Sequence, residues 1–574
     1  MTERCEVAVV GGGPVGLAMA LQLGRLGVKT TLIERRSTFT RHPKATGVHA
    51  KTMEIFRQWG IAPTIRARGG LSPEWMSVTW VTRVLGLHLG TIDLLQDTAR
   101  IQEAMSHSPE FLAWCSQDVI EPVLLEAAEH QKTVRICYDT ECAGFVQDDE
   151  GVTLRIAQND RERALHCRYL VAADGAHSEI RSALGIGASA SAAFDHHINV
   201  CFRAELAPYF RGRRHMMWWI ANPDTVGTLI TLNGADRWIY QIHYRPTEIS
   251  SVDFTPEACV RTIRRAIGAD TVDIRIESIL PWHLDHALAT SFGSDRVFLV
   301  GDAAHRFPPT GGFGMNSGIG DAHNLAWKLA AVLRGQAGAT LLDTYEAERR
   351  PIAELNIRQS MINTHRVDEI GAALNPRDVA SIETDEGAAL RRLIAEKVLN
   401  QREGYWSQGQ QFGYVYESSA VLGDGTAAEP STISDYRKTA RPGAHAPHAW
   451  LIRSDGERLS IVDLFGDRFV LVTSNEDQSW SDAMASVASQ LGVDAKAVRI
   501  GDGGEYREES ESWLTLYGLT TAGAVLVRPD GHVAARFPDA VSDPVRTLSI
   551  CLESILARMH QRTARAVAGA VSAA

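Results

Sequence analysis

Apolar residues recur along this chain at two periods, one suited to strands and one to helices, and the switches between them mark out its parts. Residues 7–10, Val-Ala-Val-Val, form a run of strand length. Helical spacing over 17–26 stops at Gly27, and a second short run over 30–33 ends on Glu34. A polar link, 35–43, leads to an amphipathic helix over 51–59 that Gly60 stops. Residues 72–97 alternate aromatic, β-branched and polar side chains, as a small sheet does. Helical spacing returns over 117–128, with Pro122 near its start, where proline costs least. Three strand-like stretches, 134–138, 141–147 and 152–158, precede another buried run over 169–172.

From 196 to 244 the texture changes. Strands over 198–206, 216–220, 227–232 and 237–244 are broken by turn residues and rich in tryptophan, tyrosine and histidine, which reads as a largely β insertion. A buried strand over 297–300 is followed by Gly301-Asp302, a Gly/Pro-rich loop and a helix over 317–333, with further helices over 344–369 and 383–399. Gly, Pro, Ser, Thr and Asp are dense over 423–447, the composition of a linker. An α/β pattern then restarts over 449–537, with strands at 469–473, 498–500, 524–527 and 533–536, a helix at 480–491, and a turn at Pro529-Asp530-Gly531. The end, 560–574, is rich in small residues and is expected to fray.

Composition narrows the function. At 574 residues the chain exceeds one core, and roughly three to four domains or subdomains are expected. A net charge of −11 argues against a nucleic-acid partner. Eight cysteines without C-x-x-C indicate a reducing compartment and neither a disulfide framework nor a metal site. Nothing approaches an apolar span of about 20 residues, so no membrane helix is expected and a cytoplasmic location follows.

The chemistry begins in the first strand–helix–strand unit. Gly11, Gly13 and Gly16 set the spacing G-x-G-x-x-G. Gly11 permits a tight turn, Gly13 lets backbone approach a pyrophosphate, and Gly16 lets helix and strand pack closely. The pyrophosphate would sit on the free amides of the helix start, where the dipole favours negative charge. Glu34 stands where a carboxylate accepts hydrogen bonds from an adenosine ribose. The three glycines alone could form an ordinary turn; strand, helix, second strand and terminal acid together point to a dinucleotide site.

Two later runs extend this. Residues 169–181 place Asp174-Gly175 at a strand end, with Ser178 and Arg181 beyond, and residues 296–305 place Asp302 at another, ahead of Pro308-Pro309-Thr310-Gly311-Gly312-Phe313-Gly314-Met315-Asn316. Together with the N-terminal motif they resemble the three fingerprints of the class A flavin-dependent aromatic hydroxylases, the p-hydroxybenzoate hydroxylase type, over roughly residues 3–370. The resemblance implies an α/β chain: a Rossmann-like FAD-binding domain (1–185 and, with helices, 285–400), an inserted β-rich substrate domain (186–284), a linker (423–447) and a thioredoxin-like domain (448–560). It implies FAD as cofactor, NAD(P)H as co-substrate, O2, and an aromatic small-molecule substrate.

It also implies roles. Gly11, Gly13, Pro14, Val15, Gly16, Glu34 and Arg35 would hold the adenosine diphosphate end. Asp302 would meet a ribityl hydroxyl, and Gly312, Gly314, Met315 and Asn316 would lie along the flavin pyrimidine edge at a helix start that stabilises negative charge. Gln117 matches a glutamine that contacts FAD. Lys44 stands where relatives carry arginine, and it lacks the planar fork. Asp174 and Arg181 match a motif linked to both FAD and NAD(P)H, or else pair with each other to hold a strand end. Pro309, Tyr240 and His243 are the candidates for the reacting face. Trp218, Trp219, Trp238, Tyr240 and Tyr244 suit either a pocket for a planar ring or plain sheet core; alternation sends Tyr240 to one face and Gln241 and His243 to the other, so only one set can face a pocket.

Residues 441–448, Arg-Pro-Gly-Ala-His-Ala-Pro-His, resemble the entry to the thioredoxin-like tail of longer aromatic hydroxylases. Without C-x-x-C a dithiol role is excluded, and the tail is expected to be structural, a candidate contact of a homodimer. The expected activity is hydroxylation of a phenolic or polyketide-like ring through a C4a-hydroperoxyflavin. The alternatives are Baeyer–Villiger or epoxide insertion into a polycyclic substrate, and a non-catalytic flavin or NAD(P)H sensor.

Overall fold

Six strands form the sheet beneath the glycine motif, in the spatial order Gly293–Ser294, Val297–Leu299, Tyr169–Ala172, Val7–Val10, Thr30–Ile33 and Val134–Cys137. All neighbours run parallel except the first pair. Val7–Val10, Thr30–Ile33 and Tyr169–Ala172 are buried at every position, which is why they read as unbroken apolar runs: a parallel sheet is covered on both faces. The computed structural model describes residues 3–558, except 160, 192–194, 374–380, 428 and 477, so the small-residue end 560–574 lies outside the described residues. The helix Pro14–Arg25 packs against Gln117–Glu129 and Phe313–Leu333, which together bury Gly16–Gly24. Pro122 sits inside Gln117–Glu129, more than a turn from its start, and not in the tolerated opening positions expected for it.

The inserted β region is larger than the sequence reading drew it. Its seven strands are ordered Arg275–Leu284, Asp195–Arg203, Arg237–His243, Thr225–Thr231, Met217–Asn222, Ser77–Val81 and His88–Asp93. The last two come from the stretch expected to form a separate small sheet within 1–185; Ser77–Val81 instead joins Met217–Asn222 in parallel, with Trp80 opposite Trp219. Alternation identifies a strand, but its partner lies 140 residues away and is chosen by packing. One face of this sheet packs on the helix Pro256–Ile267 through Phe202, Trp218, Trp238 and Tyr240.

After 423 the chain is not a free tether. Ala444, His445, Ala446 and His448 are buried, and His445 Nε2 lies 2.9 Å from Glu54. A second seven-stranded sheet follows, ordered Arg458–Ser460, Trp450–Arg453, Tyr506–Glu508, Ala495–Ile500, Phe469–Ser474, Ala524–Val527 and Val533–Phe537. Its hairpin turn docks on the first domain through buried charges. Arg528 donates to both oxygens of Glu348 (2.6 and 2.9 Å), Lys328 reaches Glu348 at 2.7 Å, and Asn324 donates to Glu348 and to Asp530. Losing one partner of such a set strands the others without water, a cost of about 3–5 kcal/mol.

Candidate active site

A cavity of about 940 Å³ runs from the glycine turn to one face of the first seven-stranded sheet. The three motif glycines differ in what they do there. Gly11 has φ +110, and a Cβ on it would stand 2.2 Å from the Ala173 carbonyl oxygen. A Cβ on Gly16 would stand 1.9 Å from the Gly11 carbonyl oxygen. Both serve packing. A Cβ on Gly13 meets no protein atom within 4 Å, and Gly13, Pro14 and Val15 line the cavity. Glu34, at the next strand end, accepts from the Gly12 amide at 2.6 Å and from the Arg36 amide at 2.8 Å. Burial works to raise its pKa, but the bonds from Arg36 and Gly12 outweigh this and keep the carboxylate ionised. Arg35 lines the cavity beside it.

At the second fingerprint, Asp174 and Arg181 form no ion pair. Asp174 accepts from the Ile180 amide at 3.2 Å, capping Glu179–Ala183, while its other oxygen is buried without a partner; burial raises its pKa. Arg181 donates to the Ala303 carbonyl at 2.9 Å and so holds the neighbouring strand end. At the third, the Asp302 carboxylate faces the cavity and accepts no hydrogen bond from the described residues. The side chain is exposed to the cavity, and the protein packed around it raises its pKa, against the charges of His305, Lys44 and Arg306.

The helix Phe313–Leu333 begins earlier than expected, directly behind Gly312, whose φ is +73. Pro309, Gly312, Gly314 and Met315 line the cavity, as do Lys44 and Gln117. Gln117 also donates to Glu121 at 2.7 Å. The Asn316 side chain has a task of its own beside the backbone role expected at this position. Its oxygen accepts from the His49 amide at 2.9 Å, and its nitrogen donates to the carbonyls of Gly47 and Gly312. Its side chain is spent on tying the helix start to residues 47–49. His49, which the sequence did not single out, lies 2.9 Å from the Gly311 carbonyl; burial lowers its pKa to about 4, so the ring is neutral and donates there.

The sheet end of the cavity corrects two candidates. Tyr240 is fully buried on the far face of the sheet, its hydroxyl 2.9 Å from that of Thr225, and burial pushes its pKa well up. His243 shares the parity of Gln241 but lies past the cavity, where Asp195 holds it at 2.5 Å. The lining side chains are Met217, Trp219, Thr228, Ile230, Gln241 and Trp282, with Tyr405 from the helix Arg402–Tyr405 opposite. Of the five aromatic residues considered from sequence, Trp219 alone lines the cavity; it stacks on Trp80 at 6.2 Å and 9°. The sequence could not nominate Trp282 or Tyr405, since nothing local marks which strand edge or helix end faces a ligand.

An open Gly13, an unpartnered acid at Asp302 and a helix start aimed into a long cavity fit an extended dinucleotide with a planar head. Residues 4–360 match the family described as FAD binding domain, and residues 439–558 match the aromatic-ring hydroxylase C-terminal family. The chain belongs to the FAD-binding aromatic-ring hydroxylases. It is a flavin-dependent monooxygenase, and its cofactor is FAD. Tetracenomycin A2 monooxygenase-dioxygenase of Streptomyces glaucescens is 37% identical, over 97% of this chain and 98% of its own. A putative polyketide hydroxylase of Streptomyces halstedii is 36% identical over 94% of each. The structure of the flavin-dependent monooxygenase PieE, in complex with FAD and substrate, superposes with a TM-score of 0.90 at 32% identity, covering 97% of this chain and 99% of that one. Among the described residues no helix is long and apolar enough to cross a membrane.

Proposed function

We propose that the enzyme hydroxylates a large, uncharged, phenolic ring system of the polyketide type, using O2 and NAD(P)H. The observation that carries this is the wall of the cavity's sheet end. It is broad and rich in ring faces, with Trp114, Trp219, Trp282 and Tyr405, and among the described residues its guanidinium, Arg306, is already paired with Asp285 at 2.8 Å. Among the described residues of this wall a small carboxylated phenol finds no unpaired cation, Lys44 being placed against the flavin head group, whereas a flat polycycle finds ring faces and a few neutral polar groups. The relatives named as putative polyketide hydroxylases support the same class.

In this reading the adenosine diphosphate lies along Gly13 and Glu34, Asp302 accepts from a ribityl hydroxyl, and Gly312, Gly314 and Met315 face the pyrimidine edge. FAD, when bound, takes electrons from the reduced nicotinamide and delivers one oxygen atom of O2 to the ring. The helix start at Phe313 stabilises negative charge beside it. Lys44 and Gln117 flank the head group, Pro309 and Trp219 exclude water, and Thr228, Gln241 and the Tyr405 hydroxyl orient substrate hydroxyls. A panel of mono- and polycyclic phenols, scored by stimulated NAD(P)H oxidation and product mass, tests the proposal. Oxygenated product from tri- or tetracyclic phenols and none from benzoate-type phenols is expected. The reverse ranking would overturn it.

A further inference from the structure

One guanidinium outside the cavity ties together the two stretches proposed to hold the flavin. Arg349, on the helix Thr344–Ala373, is 3% exposed and does not line the main cavity. Its Nε donates to Asp321 Oδ1 at 2.8 Å, its Nη2 to the Ser317 carbonyl at 3.0 Å, and its Nη1 to the Tyr416 hydroxyl at 3.2 Å. Ser317 and Asp321 belong to Phe313–Leu333, the helix whose start carries the Gly312–Met315 edge. The second oxygen of Asp321 accepts the Gly301 amide at 3.1 Å and lies 2.6 Å from His305 Nε2. Gly301 directly precedes Asp302. The approach is close because Gly318 has no side chain: a Cβ there would stand 2.4 Å from Val15 and 3.1 Å from the Gly301 Cα.

The helix start and the acid loop are therefore both referred to one buried ion pair. Replacing such a pair by well-packed apolar groups is often neutral or favourable for stability, so the pair's contribution is sought in geometry. A planar fork with three partners fixes directions that an aliphatic side chain would leave loose. Behind the fork stands the C-terminal domain. The Tyr416 ring packs on His532 with centroids 4.2 Å apart, and Arg528 lies 5.2 Å over the same ring.

We infer that Arg349 is a positioning residue for the flavin. Through Asp321 it sets the spacing between the Asp302 loop and the Gly312–Met315 helix start, and the C-terminal domain braces it through Tyr416. This rests on the flavin placement proposed above. It gives a domain without a dithiol a part in the reaction: a brace behind the cofactor loops.

The test measures the FAD dissociation constant of stripped protein, the reduction potential of the bound flavin, and hydrogen peroxide released per NAD(P)H oxidised. The variants are Tyr416→Phe, Arg349→Lys and Arg349→Met, with Asp302→Asn alongside. Tyr416→Phe removes one hydrogen bond and should weaken FAD binding about 2- to 10-fold, shift the potential and raise peroxide release, by more than the change in melting temperature of the stripped protein accounts for. Arg349→Met should lose about tenfold or more, and Arg349→Lys should recover part of it. If Tyr416→Phe and Arg349→Lys keep parental potential and FAD affinity to within about twofold, the proposal is wrong whether or not Arg349→Met folds. It is equally wrong if FAD affinity falls only in step with the melting temperature of the stripped protein. Parental affinity in Asp302→Asn would instead remove the flavin placement on which the proposal stands.

Discussion

The two ends of the cavity are built from different parts of the chain's chemistry. The end proposed to hold the flavin is framed by backbone, a turn at Gly11–Gly13, a left-handed Gly312 and the amides of two helix starts, with Glu34, Lys44, Gln117 and Asp302 as its side chains, and short local motifs set most of it. The sheet end is made of side chains brought together from four distant stretches, near 114, 217–241, 282 and 405. Backbone that cradles a phosphate tolerates almost no change of residue. A wall of side chains can be refitted one residue at a time. In the proposed placement, the enzyme joins a cofactor seat held by steric necessity to a substrate wall of replaceable side chains.

Substitutions should separate the two ends in proportion. Gly16→Val, whose Cβ would stand 1.9 Å from the Gly11 carbonyl oxygen, should remove both flavin and soluble folded protein; a soluble, yellow variant would contradict the packing role. Asp302→Ala should weaken FAD binding by about 1.5–3 kcal/mol, roughly one to two orders of magnitude, through a lost charge-assisted hydrogen bond. At saturating FAD it should also release more hydrogen peroxide per NAD(P)H, and full coupling with parental affinity would leave Asp302 only a strand-end residue. Trp219→Ala should keep its flavin but raise KM for a polycyclic substrate by about 2 kcal/mol, roughly thirtyfold, the loss of a stacked aromatic contact. Tyr240→Phe should leave kcat and KM unchanged and cost about 0.5–1.5 kcal/mol of stability, the worth of its bond to Thr225. A large loss of kcat there would return Tyr240 to the reacting face.

The smallest effect lies beyond the sheet end. Hydrogen bonding to Asp195 raises the pKa of His243 above its ordinary 6.5. Its stabilisation is therefore complete below 6.5 and is lost as pH rises through the folded value. The group is partly exposed, so the loss is small. Melting temperatures measured from pH 6 to 9 should decline slightly more for the parent than for His243→Gln, and parallel curves would argue against the coupling.

This contrast also explains what could be read from sequence. The glycine spacing, Glu34, Asp174 and Asp302 are legible because each sits at the end of a buried parallel strand, where a local pattern dictates position. The face of Tyr240 is not legible, because alternation assigns side chains to two faces without saying which one meets the ligand. Asn316 and Arg181 lie at the expected places, yet their hydrogen bonds go to protein, a partition only three-dimensional neighbours decide. The strand Ser77–Val81 is legible as a strand, but its partner Met217–Asn222 is not, for the same reason.

Gly13 tests the central claim most directly, because it is the motif glycine whose absent side chain faces the cavity and no protein atom. The measurement is the flavin absorbance of purified Gly13→Val, taken with its far-UV circular dichroism and melting curve. A folded but colourless protein is predicted, since a branched side chain would occupy the pyrophosphate's place while disturbing nothing else. A folded protein with a stoichiometric flavin spectrum would contradict the placement of the cofactor along this turn.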